Sequence, residues 1–489
     1  MDNVNSIDLV SVPSDYGHGA NDGAYYPIGL LTIASHLRRT SPGRKINIVD
    51  MHHTPDYVPR ADVVGISASS TLCYQNVLAV AEQAKSAGAI VVLGGPHATH
   101  LSNQILTNQK EIIDFIIRQD GEEPLASLLK AIDDGDSFCS IPNLSWRNRQ
   151  GEIIHNPIHC ETWAYDNYLP FDFSALSAGI KPYWDVTKER VQKDMAAGFV
   201  VFTHFGCGYR ERMKNRSLRK DMLSMSCSYC SLGGDVVARK AESIVVEVLD
   251  LIQSHRVPAG GKVLLKCYGD NVGYHRNMIS AIANAIAREQ RWSEYDIEWT
   301  FYMQSSLLTE KMADMLLSIG TKRLFIGFDS VDDCVQRLNG LGTNLSSHQH
   351  AVNVCRDSGL KIHGGFVLGC AGETVFSVEK SIGFAEKAAA AGVLERINAA
   401  IMVIMPGAPA YNLLCRKEPW VRELDLLDTE EIRWYWLRHF CPDLKATPTQ
   451  SRRFLQDAAD RLDDLCAGAH ASMGFVSNRM LRGSSRRAA

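Results

Sequence analysis

Short apolar runs alternate with helix-period segments twice along this chain of 489 residues. The runs of the first stretch are rich in β-branched residues, which is typical of strands that are buried on both faces of a parallel sheet. Their order predicts an α/β fold that begins with a doubly wound, Rossmann-like parallel sheet over residues 1–140. The predicted strands are 6–12, 45–50, 62–67, 89–94 and 113–118, and the predicted helices are 29–39, 75–87 and 122–132.

The second stretch repeats this alternation in six β-α units, which predict a partial barrel or an open α/β sheet over residues 196–411. Residues 141–195 contain several prolines and little periodicity, so we expect a connector there. Residues 412–489 have helical apolar spacing and end in a polar tail, which predicts a helical region with a disordered end. The predicted strands are 199–204, 263–268, 297–303, 323–328, 361–368 and 398–404, and the predicted helices are 240–254, 275–289, 309–319, 346–358 and 374–392.

The charge balance excludes a global attraction to nucleic acid or to a membrane. The chain has 51 basic and 55 acidic residues, for a formal net charge of −4. Its apolar runs are all shorter than the roughly 18–20 residues of a membrane span, and its first residues lack the basic start of a signal peptide. We therefore expect a cytoplasmic protein that binds neither membranes nor nucleic acid.

Three of the thirteen cysteines are grouped: Cys207 follows the first strand of the second stretch, and Cys227 and Cys230 come after nineteen intervening residues. Three thiolates suit an iron–sulfur cluster or part of a zinc site. The spacing alone leaves a cluster, a zinc site and unrelated thiols open. The intervening loop is basic, and it either contacts an acidic ligand or is simply solvated. Its cations are Arg210, Arg212, Lys214, Arg216, Arg219 and Lys220.

Small residues follow several strands of the first predicted sheet. In a doubly wound sheet the ligand lies outside the carboxyl ends of the strands, where small residues let the backbone approach it. The residues at these positions are Ser67, Gly94, Gly95 and Gly121, and His97 lies in the same loop as the glycine pair. A structural sheet without a ligand remains the alternative.

The segments YYPIGLLTIASHLRR, DVVGIS, VVLGGPHATH and IIRQDGEEPLASLL resemble the cobalamin-binding domain that is attached to radical S-adenosylmethionine (SAM) enzymes. This resemblance covers nearly all of residues 5–150. It includes a hairpin at IPNLSWRNRQGEI, and it implies that cobalamin binds at Ser67, Gly94, Gly95, His97 and Gly121.

Residues 196–412 resemble the radical SAM domain itself. The resemblance rests on LLKCYGDNVGYHRNM, Gln304-Ser305-Ser306, LLSIGTKRLFIGFDS, AVNVCRDSGLKIHGGFVLGCAGET and VIMPGAPAY, in that order. It implies a [4Fe–4S] cluster on Cys207, Cys227 and Cys230, although the first two are farther apart than in the common pattern. The positions it implies for SAM are Tyr229, Gly269, Asp270, Asn271, Gln304, Ser306, Asp329, Gly365 and Val367.

The two resemblances together imply a cobalamin-dependent radical SAM enzyme. Its implied activity is a methyltransferase that acts on an unactivated carbon of a small-molecule or peptide substrate, through a 5′-deoxyadenosyl radical and methylcobalamin. An electron donor such as flavodoxin or ferredoxin is the implied protein partner. The alternatives are a radical rearrangement, ring contraction or cyclisation with the same cofactors, and a non-catalytic cobalamin-binding protein. No catalytic side chain is assigned.

Overall fold

The computed structural model describes residues 4–14, 23–159, 165–169, 171–190, 194–213, 216–231, 236–444 and 447–466. The chain divides into two compact units. The N-terminal unit consists of Met1–Asp185 with two later pieces, Met405–Gly407 and Pro419–Thr429. The second unit consists of Val186–Ile404, Ala408–Glu418 and the chain from Glu430 onward.

The N-terminal unit contains a seven-stranded sheet in the order β2-β1-β3-β4-β5-β6-β7. Strands β1 to β5 are parallel, which confirms the doubly wound sheet. The strands are β1 (Ser6–Ser11), β2 (Lys45–Asp50), β3 (Val63–Ser67), β4 (Ile90–Gly94), β5 (Phe115–Ile117), β6 (Leu144–Arg147) and β7 (Ile153–His155). The helices are α1 (Ile28–Thr40), α2 (Tyr74–Ser86), α3 (Pro96–His100), α4 (Ser102–Asn108), α5 (Glu122–Asp134) and α6 (Lys181–Arg190).

The central strands form the core of this unit because both of their faces are covered. Ile7 of β1, Val63 of β3 and Val91 of β4 are fully buried, as continuous apolar runs in a parallel sheet require. The hairpin β6–β7 adds two antiparallel strands beyond β5. It corresponds to the hairpin that the family resemblance implies at IPNLSWRNRQGEI, at the start of the range 141–195 that we otherwise expected to be a connector.

The second unit contains a six-stranded sheet in the order β8-β11-β12-β13-β14-β15, with every neighbouring pair parallel. This sequential β/α order is that of the predicted partial barrel. A small antiparallel pair, β9 with β10, stands apart from it. The strands are β8 (Ala197–Val201), β9 (His204–Phe205), β10 (Val237–Ala238), β11 (Lys262–Cys267), β12 (Asp296–Met303), β13 (Thr321–Asp329), β14 (Lys361–Leu368) and β15 (Leu394–Ile401).

Helices separate the parallel strands and continue after the last one. All five predicted helices of this stretch are present, and the C-terminal region is helical as expected, while the predicted disordered tail lies mostly outside the described residues. The helices are α7 (Gly208–Met213), α8 (Ala241–Ser254), α9 (Arg276–Arg288), α10 (Glu310–Leu317), α11 (Asp333–Leu338), α12 (Leu345–Ser358), α13 (Val375–Ala390), α14 (Pro409–Lys417), α15 (Thr429–Phe440) and α16 (Pro448–Asp464).

The chain after residue 412 does not form one separate region. Helix α16 packs on the second sheet through buried residues such as Leu455 and Leu462, and Asp463 accepts a hydrogen bond from the Ala399 amide of β15 (3.1 Å). The piece Pro419–Thr429, in contrast, belongs to the N-terminal unit. Within the described part of the chain, no helix is long and apolar enough to cross a membrane.

Candidate functional site

Three free cysteines come together in the second unit. Cys207 lies between β9 and α7, and Cys227 and Cys230 lie in the irregular loop beyond α7. Burial raises the pKa of the Cys227 thiol well above its usual value, and the charges of Cys230, Asp329 and Cys207 raise it further. The thiols are therefore close enough to interact electrostatically, although nineteen residues separate the first two in sequence.

The segment 338–342, which begins at the last residue of α11, binds both halves of this cysteine motif. On the Cys-Ser-Tyr-Cys side, the Ser228 hydroxyl donates to the Asn339 side-chain oxygen (2.7 Å) and the Ser228 amide donates to the Asn339 carbonyl (3.0 Å). On the other side, the Tyr209 hydroxyl, two residues after Cys207, donates to the Gly340 carbonyl (3.0 Å). The long gap between the cysteines is thus closed by a third segment that binds both.

Two positions of the 338–342 segment require glycine. Gly340 has a φ of +64°, and a Cβ there would lie 2.5 Å from the Ser224 carbonyl oxygen. Gly342 has a φ of +72°, and its Cβ would lie 2.6 Å from the Tyr209 ring. Both the left-handed backbone and the close approach exclude larger residues.

The donor set fits an iron–sulfur cluster with three protein ligands. None of the three cysteines forms a disulfide. The raised pKa favours the neutral, protonated form of the Cys227 thiol, and a bound metal would stabilise its thiolate instead. Among the residues that the structure describes, no three His, Cys, Asp or Glu side chains converge on a site for a single metal ion. A [4Fe–4S] cluster instead takes one cysteine on each of several irons.

Polar side chains at the ends of β11 and β12 bind one another next to the 338–342 segment. Asn271 and Gln304 form two hydrogen bonds of 3.0 Å each. The Asn271 side-chain amide donates to the Gln304 side-chain oxygen, and the Gln304 backbone amide donates to the Asn271 side-chain oxygen. The Tyr274 hydroxyl donates to the Gln304 side-chain oxygen (3.0 Å). The Gln304 side-chain amide in turn donates to the Leu341 carbonyl (3.0 Å).

The start of the predicted SAM-binding segment after β11 is tightly packed. A Cβ on Gly269 would lie 2.4 Å from the His204 ring, so only glycine fits there. His204 donates from Nε2 to the Asp270 carbonyl (3.3 Å). Burial raises the pKa of the Asp270 carboxyl to about 6. Ser306 is more exposed, and its hydroxyl donates to the Gly342 carbonyl (3.3 Å).

Asp329 ends β13 at a bulge and is joined to the cysteine loop. Its backbone has a φ of +57°, and the register with β14 shifts between Gly327 and Asp329. Burial raises the pKa of its carboxyl to about 6, whereas a hydrogen bond from the Tyr229 hydroxyl lowers it. Tyr229 is itself one of the positions implied for SAM, and the structure adds this contact of its hydroxyl. The predicted SAM residues Gly365 and Val367 lie on β14, beside Asp329.

The predicted cobalamin residues of the N-terminal unit lie at the carboxyl ends of β3, β4 and β5. Ser67 pairs with Gly94 in the sheet. The loops that follow are tied by two backbone hydrogen bonds, from the Ala68 amide to the Gly94 carbonyl (2.8 Å) and from the His97 amide to the Ala68 carbonyl (3.1 Å). Gly121 lies after β5, where a Cβ would approach Ile33 of α1 to 3.0 Å.

His97 is not placed to offer a ring nitrogen to a ligand. Its side chain is buried, the Thr71 hydroxyl donates to Nδ1 (3.1 Å), and Nε2 donates to the Asp425 carbonyl (3.1 Å). The ring also packs on Tyr74, with the centroids 4.2 Å apart. Burial lowers the pKa of His97 to about 4, so the ring is neutral at physiological pH. That His97 contributes to the cobalamin site stays a prediction, and the contacts of its ring support the loop.

Comparison with family models assigns both units. Residues 21–129 match the B12 binding domain, and residues 224–385 match the radical SAM superfamily. The chain therefore contains a B12-binding domain and a radical SAM domain. These domain matches assign cobalamin to the first domain and SAM with a [4Fe–4S] cluster to the second. Cys227 and Cys230 lie within the matched residues of the radical SAM model, and Cys207 precedes them.

Relatives and solved structures extend this comparison. The enzyme is 23% identical over 369 residues to an uncharacterized methyltransferase of Pyrococcus horikoshii, covering 74% of this chain and 73% of the relative. It is 20% identical over 333 residues to the anaerobic magnesium-protoporphyrin IX monomethyl ester cyclase of Rubrivivax gelatinosus, covering 66% and 53%. Its fold is similar to that of the radical SAM methyltransferase TsrM of Kitasatospora setae, with a TM-score of 0.68, 14% identity, and coverage of 97% and 90%.

Sequence reasoning missed the 338–342 segment of the enzyme. Its sequence, Leu-Asn-Gly-Leu-Gly, carries a turn signal in two closely spaced glycines. That signal predicts a turn but says nothing about what the turn contacts. The same holds for His204, whose packing on Gly269 depends on neighbouring strands that are distant in sequence.

Proposed function

We propose that this enzyme transfers a methyl group to an unactivated carbon of a small-molecule or peptide substrate. The observation that carries the proposal is the proximity of Cys207, Cys227 and Cys230, whose neighbours Tyr209 and Ser228 bind the 338–342 segment. Gln304 and Asp329 lie nearby, and the chain also has a B12-binding domain. The methyltransferase relative and the fold shared with TsrM support methyl transfer as the outcome.

In this proposal the three cysteines hold the cluster and leave one iron open to the amino and carboxylate groups of SAM. When bound, the cluster supplies an electron for cleavage of SAM, and cobalamin carries the methyl group. The chain orients SAM through polar groups at neighbouring strand ends and keeps water away by burying them. These positions are Tyr229, Gly269, Asp270, Asn271, Gln304, Ser306, Asp329, Gly365 and Val367.

Cobalamin is proposed to lie over the strand ends of the N-terminal unit. Ser67, Gly94, Gly95 and Gly121 are small residues at the ends of adjacent strands, where the ligand of a doubly wound sheet binds. His97 contributes by fixing the loop between β4 and α3, through its contacts to Thr71 and Asp425.

The test is an anaerobic incubation of cobalamin-loaded enzyme with methyl-labelled SAM, a reductant and a fractionated pool of cellular small molecules and peptides. We expect 5′-deoxyadenosine and a labelled product that forms only when cobalamin is present. Cys207→Ala, Cys227→Ala and Cys230→Ala should each abolish bound iron and sulfide as well as 5′-deoxyadenosine. Cys334→Ala, which removes an exposed cysteine of the same unit, should preserve both.

If Cys207→Ala kept a full cluster, the assignment of the first ligand would be wrong. A second candidate function is radical cyclisation or another rearrangement with the same cofactors, which the similarity to the cyclase of Rubrivivax gelatinosus supports. In that case the incubation would yield 5′-deoxyadenosine and a cyclised or isomeric product without the label.

A further inference from the structure

A cavity of about 670 Å³ in the second unit is separate from the positions assigned to SAM. It opens between α7 and the first turns of α8 and α9. This volume is within the range of small-molecule binding pockets, which run from about 300 to 1,000 Å³. The side chains that matter to its chemistry are Arg212, Lys240, Glu242, Tyr274, His275 and Arg276.

The cavity wall has an excess of positive charge. Arg212, Lys240 and Arg276 form no ion pair with any residue in the described ranges. A fourth cation of the wall, Arg239, is buried in a 2.6 Å ion pair with Glu247 and contributes no net charge. Glu242 is the one carboxylate among the lining residues. Three cations thus face one anion, which favours an anionic ligand.

Hydrogen-bond donors are also available at the wall. The first turns of α8 and α9 line the cavity, and neither Lys240 nor His275, which precede these helices, caps the free amides with its side chain. An oxyanion with several acceptor oxygens matches this set of donors better than a halide or a monocarboxylate does.

The remaining wall is apolar and leaves space for an organic group. Met278, Ala281 and Leu307 line it beside the Tyr274 ring, over which the Arg212 guanidinium lies 4.9 Å from the centroid. The Tyr274 hydroxyl donates to the Gln304 side-chain oxygen (3.0 Å), so this residue contacts both the cavity and the polar edge of the sheet.

We propose that this cavity binds a phosphorylated small molecule, with its phosphate among Arg212, Lys240 and Arg276 and its organic part against Tyr274. The site is independent of the methyl-transfer proposal, because none of its charged residues is assigned to SAM or to the cluster. Cobalamin also carries a phosphate, as a monoanionic diester. The cavity is assigned to a phosphate monoester, whose second charge balances the excess of cations.

The experiment is a calorimetric titration of the full-length protein with phenyl phosphate and with inorganic phosphate at constant ionic strength. We expect saturable binding of both, with phenyl phosphate the tighter ligand. Arg276→Ala and Lys240→Ala should each weaken the affinity about tenfold, as expected when one charged hydrogen bond is lost. Arg288→Ala removes an exposed arginine at the other end of α9 and should leave the affinity unchanged.

Several outcomes would overturn the assignment. Equal weakening by Arg276→Ala and Arg288→Ala, or binding no stronger than that of chloride, would reduce the cavity to a general basic surface. Displacement of phenyl phosphate by cobalamin would assign the cations to the cofactor. Suppose instead that Arg276→Ala and Lys240→Ala bind phosphate normally but an acidic electron-transfer protein reduces their cluster more slowly. The three cations would then form a protein-docking surface. Circular dichroism of each variant checks that the fold is retained.

Discussion

At the scale of single residues, burial decides which histidines can take part in chemistry. His97 is 2% exposed, and its two ring nitrogens are bonded to Thr71 and Asp425. A proton on this ring would be desolvated, which is why its pKa falls to about 4. The residue is therefore a neutral support for the loop after β4, and its effect should be visible in the stability of the protein.

We predict that His97 makes the protein less stable in mild acid. The folded pKa of about 4 lies below the ordinary value of about 6.5, so between these pH values the unfolded chain binds a proton that the folded chain does not. The free energy of unfolding should fall by up to roughly 3 kcal/mol as the pH drops from 6.5 to 4. Denaturant unfolding at several pH values should show a flatter profile for His97→Gln than for the wild type.

The control for this experiment is His350→Gln, which removes an exposed histidine and should keep the wild-type profile. If His97→Gln also kept it, the ring would not be the group that titrates.

At the scale of elements, the two loops beyond β3 and β4 form one structure through backbone contact. Gly95 has a φ of +93°, and a Cβ there would lie 2.7 Å from the Ala68 carbonyl oxygen. The backbone at position 95 therefore requires glycine whether or not a ligand binds there. Gly94 differs, since its nearest neighbour would be the Ile117 carbonyl oxygen at 3.9 Å, an ordinary contact.

The pair Gly95→Ala and Gly94→Ala separates these two roles. Gly95→Ala should destabilise the protein by about 2 kcal/mol or more, because it adds both strain and a clash with backbone, whereas Gly94→Ala should cost less than about 1 kcal/mol. Denaturant unfolding measures both. A bulkier change, Gly94→Leu, should then lower cobalamin occupancy at nearly unchanged stability. Normal cobalamin binding by Gly94→Leu would exclude Gly94 from the cofactor site.

At the scale of the whole molecule, the order of the chain does not match the order of the units. The piece Pro419–Thr429 comes after the second sheet but belongs to the N-terminal unit. Its buried Asp425 accepts hydrogen bonds from Tyr74 (3.0 Å), Asn108 (2.8 Å) and Gln109 (2.8 Å). This network fastens a late segment of the chain to the sheet formed by the first 160 residues.

We predict that Asp425→Ala destabilises the N-terminal unit by about 3 kcal/mol, because it leaves several buried donors without an acceptor. Glu423→Ala, which removes an exposed carboxylate two residues earlier, should have little effect. Limited proteolysis and denaturant unfolding of the full-length variants test this. Equal stability of the two variants would mean that the segment only lies on the surface of the unit.

The sequence by itself determined the elements and their order. All eleven predicted strands are present, since β-branched apolar runs between turn residues have few other stable conformations. The longer helices between them were also predicted, except α6, which lies in the range expected to be a connector. Short helices such as α3, α4 and α11 were missed because five to seven residues give too little periodicity. The grouping of Cys227 with Cys230 and the small residues at strand ends were readable because they are local.

Tertiary structure alone decided how distant segments meet. The spacing of Cys207 and Cys227 does not indicate that the 338–342 segment binds the chain around both cysteines. The hydrogen bonds from Tyr209 and Ser228 to that segment depend on the order of the parallel strands. The same is true of Asp425, whose carboxylate is satisfied by residues more than 300 positions earlier. Local preferences fix φ, ψ and periodicity, whereas these contacts are chosen by the packing of whole elements.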